Sequence, residues 1–138
     1  MQAIFITNRA QADAQFHLAA PLLQPVVDQA GRGEFTVEDL KRLTSEGRAI
    51  TMVVSDESGA VFALVFEVVM YPSQTAVNIM ALGGDRFAEG EAVFGEAFRQ
   101  WCRKAGATVI EASCSPAMAR MLRKFGFDVA YQVVRSKV

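Results

Sequence analysis

Few residues of this chain are equipped for chemistry, and their placement narrows which chemistry. Glu67 lies in the apolar run from Ala60 to Tyr71, and Glu111 lies in Thr108-Val109-Ile110-Glu111-Ala112-Ser113. Each is an acid embedded in an apolar strand pattern. Such an acid is a candidate general base when its side chain faces a cleft, and an ordinary surface group when strand alternation turns it outward. Gly83-Gly84 closes the strand pattern that carries Asn78. The pair permits close backbone approach to a ligand and serves equally as a tight strand-to-helix turn. His17 is the only histidine, so any Ser-His or Cys-His arrangement would need it. It sits between Phe16 and Leu18 in a helical pattern, which reads as structural. Cys102 and Cys114 lack zinc-ligand spacing and clustered partners; no metal site is expected, and both are read as reduced thiols of a cytoplasmic protein.

The elements that position these residues follow from periodicity. Apolar residues recur at helical spacing from Gln11 to Ala30, with Pro21 and Pro25 breaking or restarting the helix. Thr36-Val37-Glu38-Asp39 is a helix-start signature, predicting a short helix over about Val37 to Glu46. Ile50 to Val54 and Val61 to Tyr71 form a hairpin about Asp56-Glu57-Ser58-Gly59, and a further strand spans about Thr75 to Leu82. Phe94, Ala97, Phe98, Trp101 and Cys102 mark the clearest helix, Ala88 to Ala105, which acids open and bases close. A strand over Thr108 to Ser113 follows, parallel to Thr75 to Leu82 by the strand-helix-strand order. Ser115-Pro116 starts a helix that ends near Gly126, and a last strand is predicted over Phe127 to Val134. Phe94, Phe98, Trp101, Leu122 and Phe125 are the expected helical core.

The 138 residues and 15.0 kDa suit a single domain. Hydrophobic residues at 51% supply a core, and a net charge of -1 lacks the basic excess expected of a nucleic-acid binder. No apolar stretch approaches the roughly 20 residues of a membrane helix, and no secretory signal is readable. Neither nucleic acid nor membrane is an expected partner.

The element order, with the ending Met121-Leu122-Arg123-Lys124-Phe125-Gly126-Phe127, resembles the GNAT superfamily of acyl-CoA-dependent N-acyltransferases over about Arg48 to Val138. The resemblance implies an α+β fold, a mixed central sheet of about six strands flanked by about four helices, spanning residues 1–138 as one domain. It implies acetyl-CoA as cofactor, with binding residues at Leu82, Gly83, Gly84, Arg86, Gly90 and Ser115, and catalytic roles at Glu67, Glu111 and Asn78. Two family motifs depart here. The phosphate-binding turn Arg/Gln-x-x-Gly-x-Gly/Ala finds Arg86-Phe87-Ala88-Glu89-Gly90, with three residues rather than two before the glycine, among the acids Asp85, Glu89 and Glu91. The pattern Asn-x-x-Ala-x-x-x-Tyr-x-x-x-Gly-Phe, aligned on Gly126-Phe127, places Ser115 at the asparagine and Leu122 at the tyrosine that protonates the departing thiolate. Leucine has no proton to give.

A narrower resemblance, to small GNAT-like proteins encoded by tailed phages, rests on Asn78-Ile79-Met80-Ala81-Leu82-Gly83-Gly84 and Ser115-Pro116. Two functions are then expected. One is a non-catalytic, phage-encoded protein that binds a virion or host protein, in the host cytoplasm or the virion; the joint departures in loop spacing, tyrosine and asparagine favour it. The other is an acyl-CoA-dependent N-acetyltransferase, with Glu67, Glu111 or Asn78 positioning an amine. Fold alone does not decide between them.

Overall fold

The computed structural model describes residues 1–138. Five strands, β1 (Gln2–Ile6), β2 (Ile50–Asp56), β3 (Gly59–Met70), β4 (Thr75–Gly84) and β5 (Val109–Ala112), form one sheet in sequence order. β1 to β4 pair antiparallel, and β5 returns parallel to β4 after helix α4 (Phe87–Lys104), as the strand-helix-strand order requires. Helices α1 (Arg9–Gln15), α2 (Ala20–Ala30) and α3 (Val37–Ser45) cover one face, and α4 with α5 (Pro116–Arg123) covers the other.

Each face has its own core. Val53, Ala63, Val65 and Ala81 meet Phe16, Leu23 and Leu40 beneath α1 to α3. Met52, Val54, Phe62, Leu64, Phe66 and Val77 meet α4 and α5. Local chemistry fixes the helix ends: the Thr36 hydroxyl accepts from the Asp39 N–H at 3.1 Å while the Asp39 carboxylate accepts from the Thr36 N–H at 2.9 Å, closing a capping box on α3. Ser115 accepts from the Met118 N–H at 3.2 Å, and Pro116 opens α5.

The structure corrects several of these expectations. The sheet has five strands rather than about six, because Phe127 to Val134 forms no ladder: the segment leaves β5 and is held by Arg135, which donates to the Arg32 carbonyl at 2.9 Å and pairs with Glu34 at 3.7 Å. There are five helices against about four, and the N-terminal run, expected as a kinked or two-piece helix, does divide, at a 3₁₀ turn, Phe16–Leu18. Pro21 restarts the helix, whereas Pro25 lies inside α2 without ending it. β1 is an additional edge strand, which the sequence analysis leaves unassigned. Of the expected helical core, Leu122 is buried, but Phe94, Phe98, Trp101 and Phe125 are half-buried. The sheet's own Phe66 takes the centre, edge-on to Phe98 at 5.1 Å and Trp101 at 5.3 Å, so those rings form its rim.

Candidate active site

The register between β3 and β4 is interrupted at one point. β3 and β4 pair regularly up to Phe66↔Ile79 and resume at Val65↔Ala81, so Met80 is an extra residue, a β-bulge. Met80 and Ala81 in succession face the α1 to α3 side, whereas Ile79 and Leu82 face α4. Pairing of β4 with β5 also stops there, at Ile79↔Ala112, while β4 continues to Gly84. The two strands therefore part beyond the bulge.

The three sequence-expected catalytic residues stand in one row below this parting. Glu67 of β3 is opposite Asn78 of β4, and Asn78 is opposite Glu111 of β5. Because Phe66 and Ile110 belong to the α4 side, strand alternation turns Glu67, Asn78 and Glu111 to the other face, where all three are half-buried. The Asn78 amide donates to Glu67 Oε1 at 3.2 Å. Glu111 Oε1 accepts from the Tyr71 hydroxyl at 2.5 Å.

Tyr71 is a member of this group that the sequence analysis does not name as a site residue. The signal was present: Tyr71 follows Glu67 by four positions, and period two returns it to the same face. The Glu111 carboxylate beside it pushes the phenol up to about 12, with burial and Tyr131 adding to the effect. A raised pKa holds the proton, so any stability from this contact persists below the ordinary value of 10.0 and is lost as pH rises through about 12. Glu111→Gln is expected to bring the Tyr71 titration down towards 10.0, read from phenolate absorbance with Tyr71→Phe as the reference. An unchanged titration curve would remove Glu111 from this pair.

The expected cofactor residues lie at the far end of β4. Leu82 is buried in the core under α4. A Cβ at Gly83 would run into the Leu22 carbonyl oxygen of α2, and one at Gly90 would enter the Phe62 ring. Both glycines therefore have packing reasons to be small. Gly84, at φ +112, makes the turn out of β4. Gly83→Ala is expected to destabilise the fold by about 1 to 3 kcal/mol through backbone overpacking, read as a lower denaturation midpoint. Ser115 spends its hydroxyl on capping α5, and Leu122 is a buried apolar residue rather than a vacant acid position.

Arg86 stands at the N-terminus of α4 in the left-handed conformation, at φ 61. Its guanidinium is held by Asp56 at the end of β2 and by Glu89, the latter through bonds of 3.0 and 2.7 Å. The Ser58 hydroxyl and N–H, and then Arg86, hold the Asp56 carboxyl down at about 2. The clamp is thus intact at pH above 3.8 and loosens only as pH falls towards 2. The N–H groups of Phe87, Ala88 and Glu89 open the 18-residue α4 without intrahelical acceptors. These donors and Arg86 suit the phosphates of a coenzyme; the adjoining carboxylates oppose them.

No protein-family model and no curated protein sequence matches this chain. Solved structures do. A tetramutant of the BH1408 protein of Bacillus halodurans superposes with a TM-score of 0.71 at 15% identity, covering 100% of both chains. An aminoglycoside acetyltransferase from an uncultured soil metagenomic sample, in complex with sisomicin, gives 0.68 at 16% identity over 99% of this chain and 94% of its own. The ribosomal-protein-alanine N-acetyltransferase of Brucella melitensis biovar Abortus 2308 gives 0.70 at 9% identity over 100% of both. At such identities the likeness concerns architecture: the chain has the fold of the GNAT acetyltransferases.

Proposed function

We propose that this protein is an acyl-CoA-dependent N-acyltransferase whose acceptor amine is handled by the carboxylates below the parting of β4 and β5. The row Glu67, Asn78, Glu111 carries this reading, since three polar side chains on adjacent strands converge where the sheet opens. An amine arrives largely as ammonium and must lose a proton before it can attack. Glu67, steadied by the Asn78 amide, is the base in this reading; Glu111, fixed by Tyr71, adds a second negative charge that favours a cationic acceptor. A bound acyl-CoA supplies the activated thioester carbonyl. Backbone groups of β4 beyond Ile79 have no ladder partner on the β5 side and are free to hydrogen-bond there.

The test is thiol release from acetyl-CoA against a panel of primary amines. Amine-dependent release supports the reading; no release, with no coenzyme binding by calorimetry, overturns it.

A second reading, a non-catalytic GNAT-fold protein that binds a protein partner, is favoured by the ion-paired state of Arg86 and by Leu122 at the thiolate-acid position. The phage origin and virion role suggested by resemblance have no counterpart among the structures named above. The two readings divide on Asp56. If Arg86 is a phosphate ligand held in reserve, Asp56→Asn should tighten coenzyme A binding by about two- to five-fold, the scale of one exposed ion pair. Equal affinity in both proteins would leave Arg86 as a structural tie between the end of β2 and α4.

A further inference from the structure

A cavity of about 50 Å³ lies between the sheet and helices α4 and α5. Its walls are mainly apolar, with Phe62, Leu64, Ile79 and Ile110 from the sheet, Phe94 from α4 and Leu122 from α5. The two charged groups on its boundary satisfy each other: Arg99 donates to Glu91 at 2.8 Å and gives its other terminal nitrogen to the Phe125 carbonyl at 3.0 Å. A water needs two to four polar partners, so a space of this kind stays dry and takes apolar ligands. Gly95 keeps the charges paired. A Cβ there would meet the Glu91 carboxylate at 2.5 Å, so the glycine lets Glu91 lie back along α4 towards Arg99.

The cavity's position indicates its ligand. Ile79 is the last residue of β4 to pair with β5, opposite Ala112, and it borders the cavity. Asn78, one residue earlier, faces the other side of the sheet in the row with Glu67 and Glu111. A thioester carbonyl held at the parting therefore has the carboxylates on one face and this cavity on the other. Resting on the acyltransferase reading above, we propose that the cavity receives the acyl chain of the donor and sets its length. One water-sized group needs about 10 to 15 Å³ of such room, so about 50 Å³ accepts three or four chain carbons, and the preferred donor is a straight-chain thioester of about four to six carbons rather than acetyl. The transfer balances as for any amine. The ammonium gives one proton to Glu67, its nitrogen bonds the acyl carbon, the C–S bond breaks, and the sulfur leaves as the thiol with a second proton from the nitrogen. A chain anchored on one face holds the carbonyl for attack from the other.

Calorimetric titration of the full chain with acetyl-, butyryl- and decanoyl-CoA tests this. Butyryl-CoA is expected to bind about ten- to fifteen-fold more tightly than acetyl-CoA, about four-fold for each added methylene, and decanoyl-CoA to gain nothing further once the cavity is full. Leu122→Phe, which fills the space from α5, should bring the ratio of butyryl to acetyl affinity to about one. The ratio is taken within one variant, so a loss of stability does not enter it. Equal affinities of the parent for acetyl- and butyryl-CoA overturn this inference and leave the acyltransferase reading standing. So does a gain that continues in proportion to decanoyl-CoA, the mark of a chain lying along open surface, or a butyryl preference that Leu122→Phe leaves intact. Binding of none of the three overturns the acyltransferase reading together with this one.

Discussion

Glu67→Gln is expected to slow acyl transfer by about 10²- to 10⁴-fold, the range lost with a positioned general base. The substitution is chosen because Gln keeps the Oε1 acceptor to which Asn78 donates at 3.2 Å, so the row survives while its proton acceptor is removed. The melting transition should therefore stay where it is. Binding of coenzyme A, far along β4, should also be unchanged, which separates lost chemistry from lost affinity. Glu111→Gln distinguishes the two carboxylates: as a neighbour that favours a cationic acceptor it should raise KM more than it lowers kcat. If turnover collapses in Glu111→Gln and persists in Glu67→Gln, the roles are exchanged. If neither variant slows an otherwise measurable reaction, the row is not the site.

Phe66→Ala should cost about 3 to 5 kcal/mol of stability. Phe66 is 1% exposed, and its ring is edge-on to both Phe98 and Trp101, so truncation leaves a cavity whose walls belong to β3 and to α4. Rigid strands limit collapse into it. Phe98→Ala removes a ring of the same size from a half-buried position and should cost clearly less. Urea denaturation of the two variants beside the parent checks both magnitude and order. Equal midpoints for the two would show that the helix face, rather than the sheet, centres this core.

The sequence declared most of this architecture because its strongest signals are local. The α4 periodicity, the Thr36 box and the Ser115-Pro116 start each depend on residues within one or two turns, and all reappear in place. The failures are non-local. Phe127 to Val134 has the alternation of a strand, but a strand also needs a neighbour, and no periodicity supplies one. Glu67, Asn78 and Glu111 were each visible as polar residues in apolar runs, yet their alignment depends on registers between three strands, which a single sequence leaves open. Asp56 read as a turn residue. Its reach to Arg86, 30 positions on, follows from the β2–β3 turn and the end of β4 standing side by side.

The extra residue at Met80 makes β4 a strand written in two reading frames. Up to Ile79 the odd-numbered positions face α4; from Ala81 onward they face α2. Removing Met80 would restore one unbroken alternation through Val77, Asn78, Ile79, Ala81 and Leu82, with every side chain still on its proper face. Such a deletion therefore conserves the core while cancelling the irregularity at which β4 leaves β5. The point at which the sheet opens is thus set by the count of residues in β4 rather than by the type of any one of them.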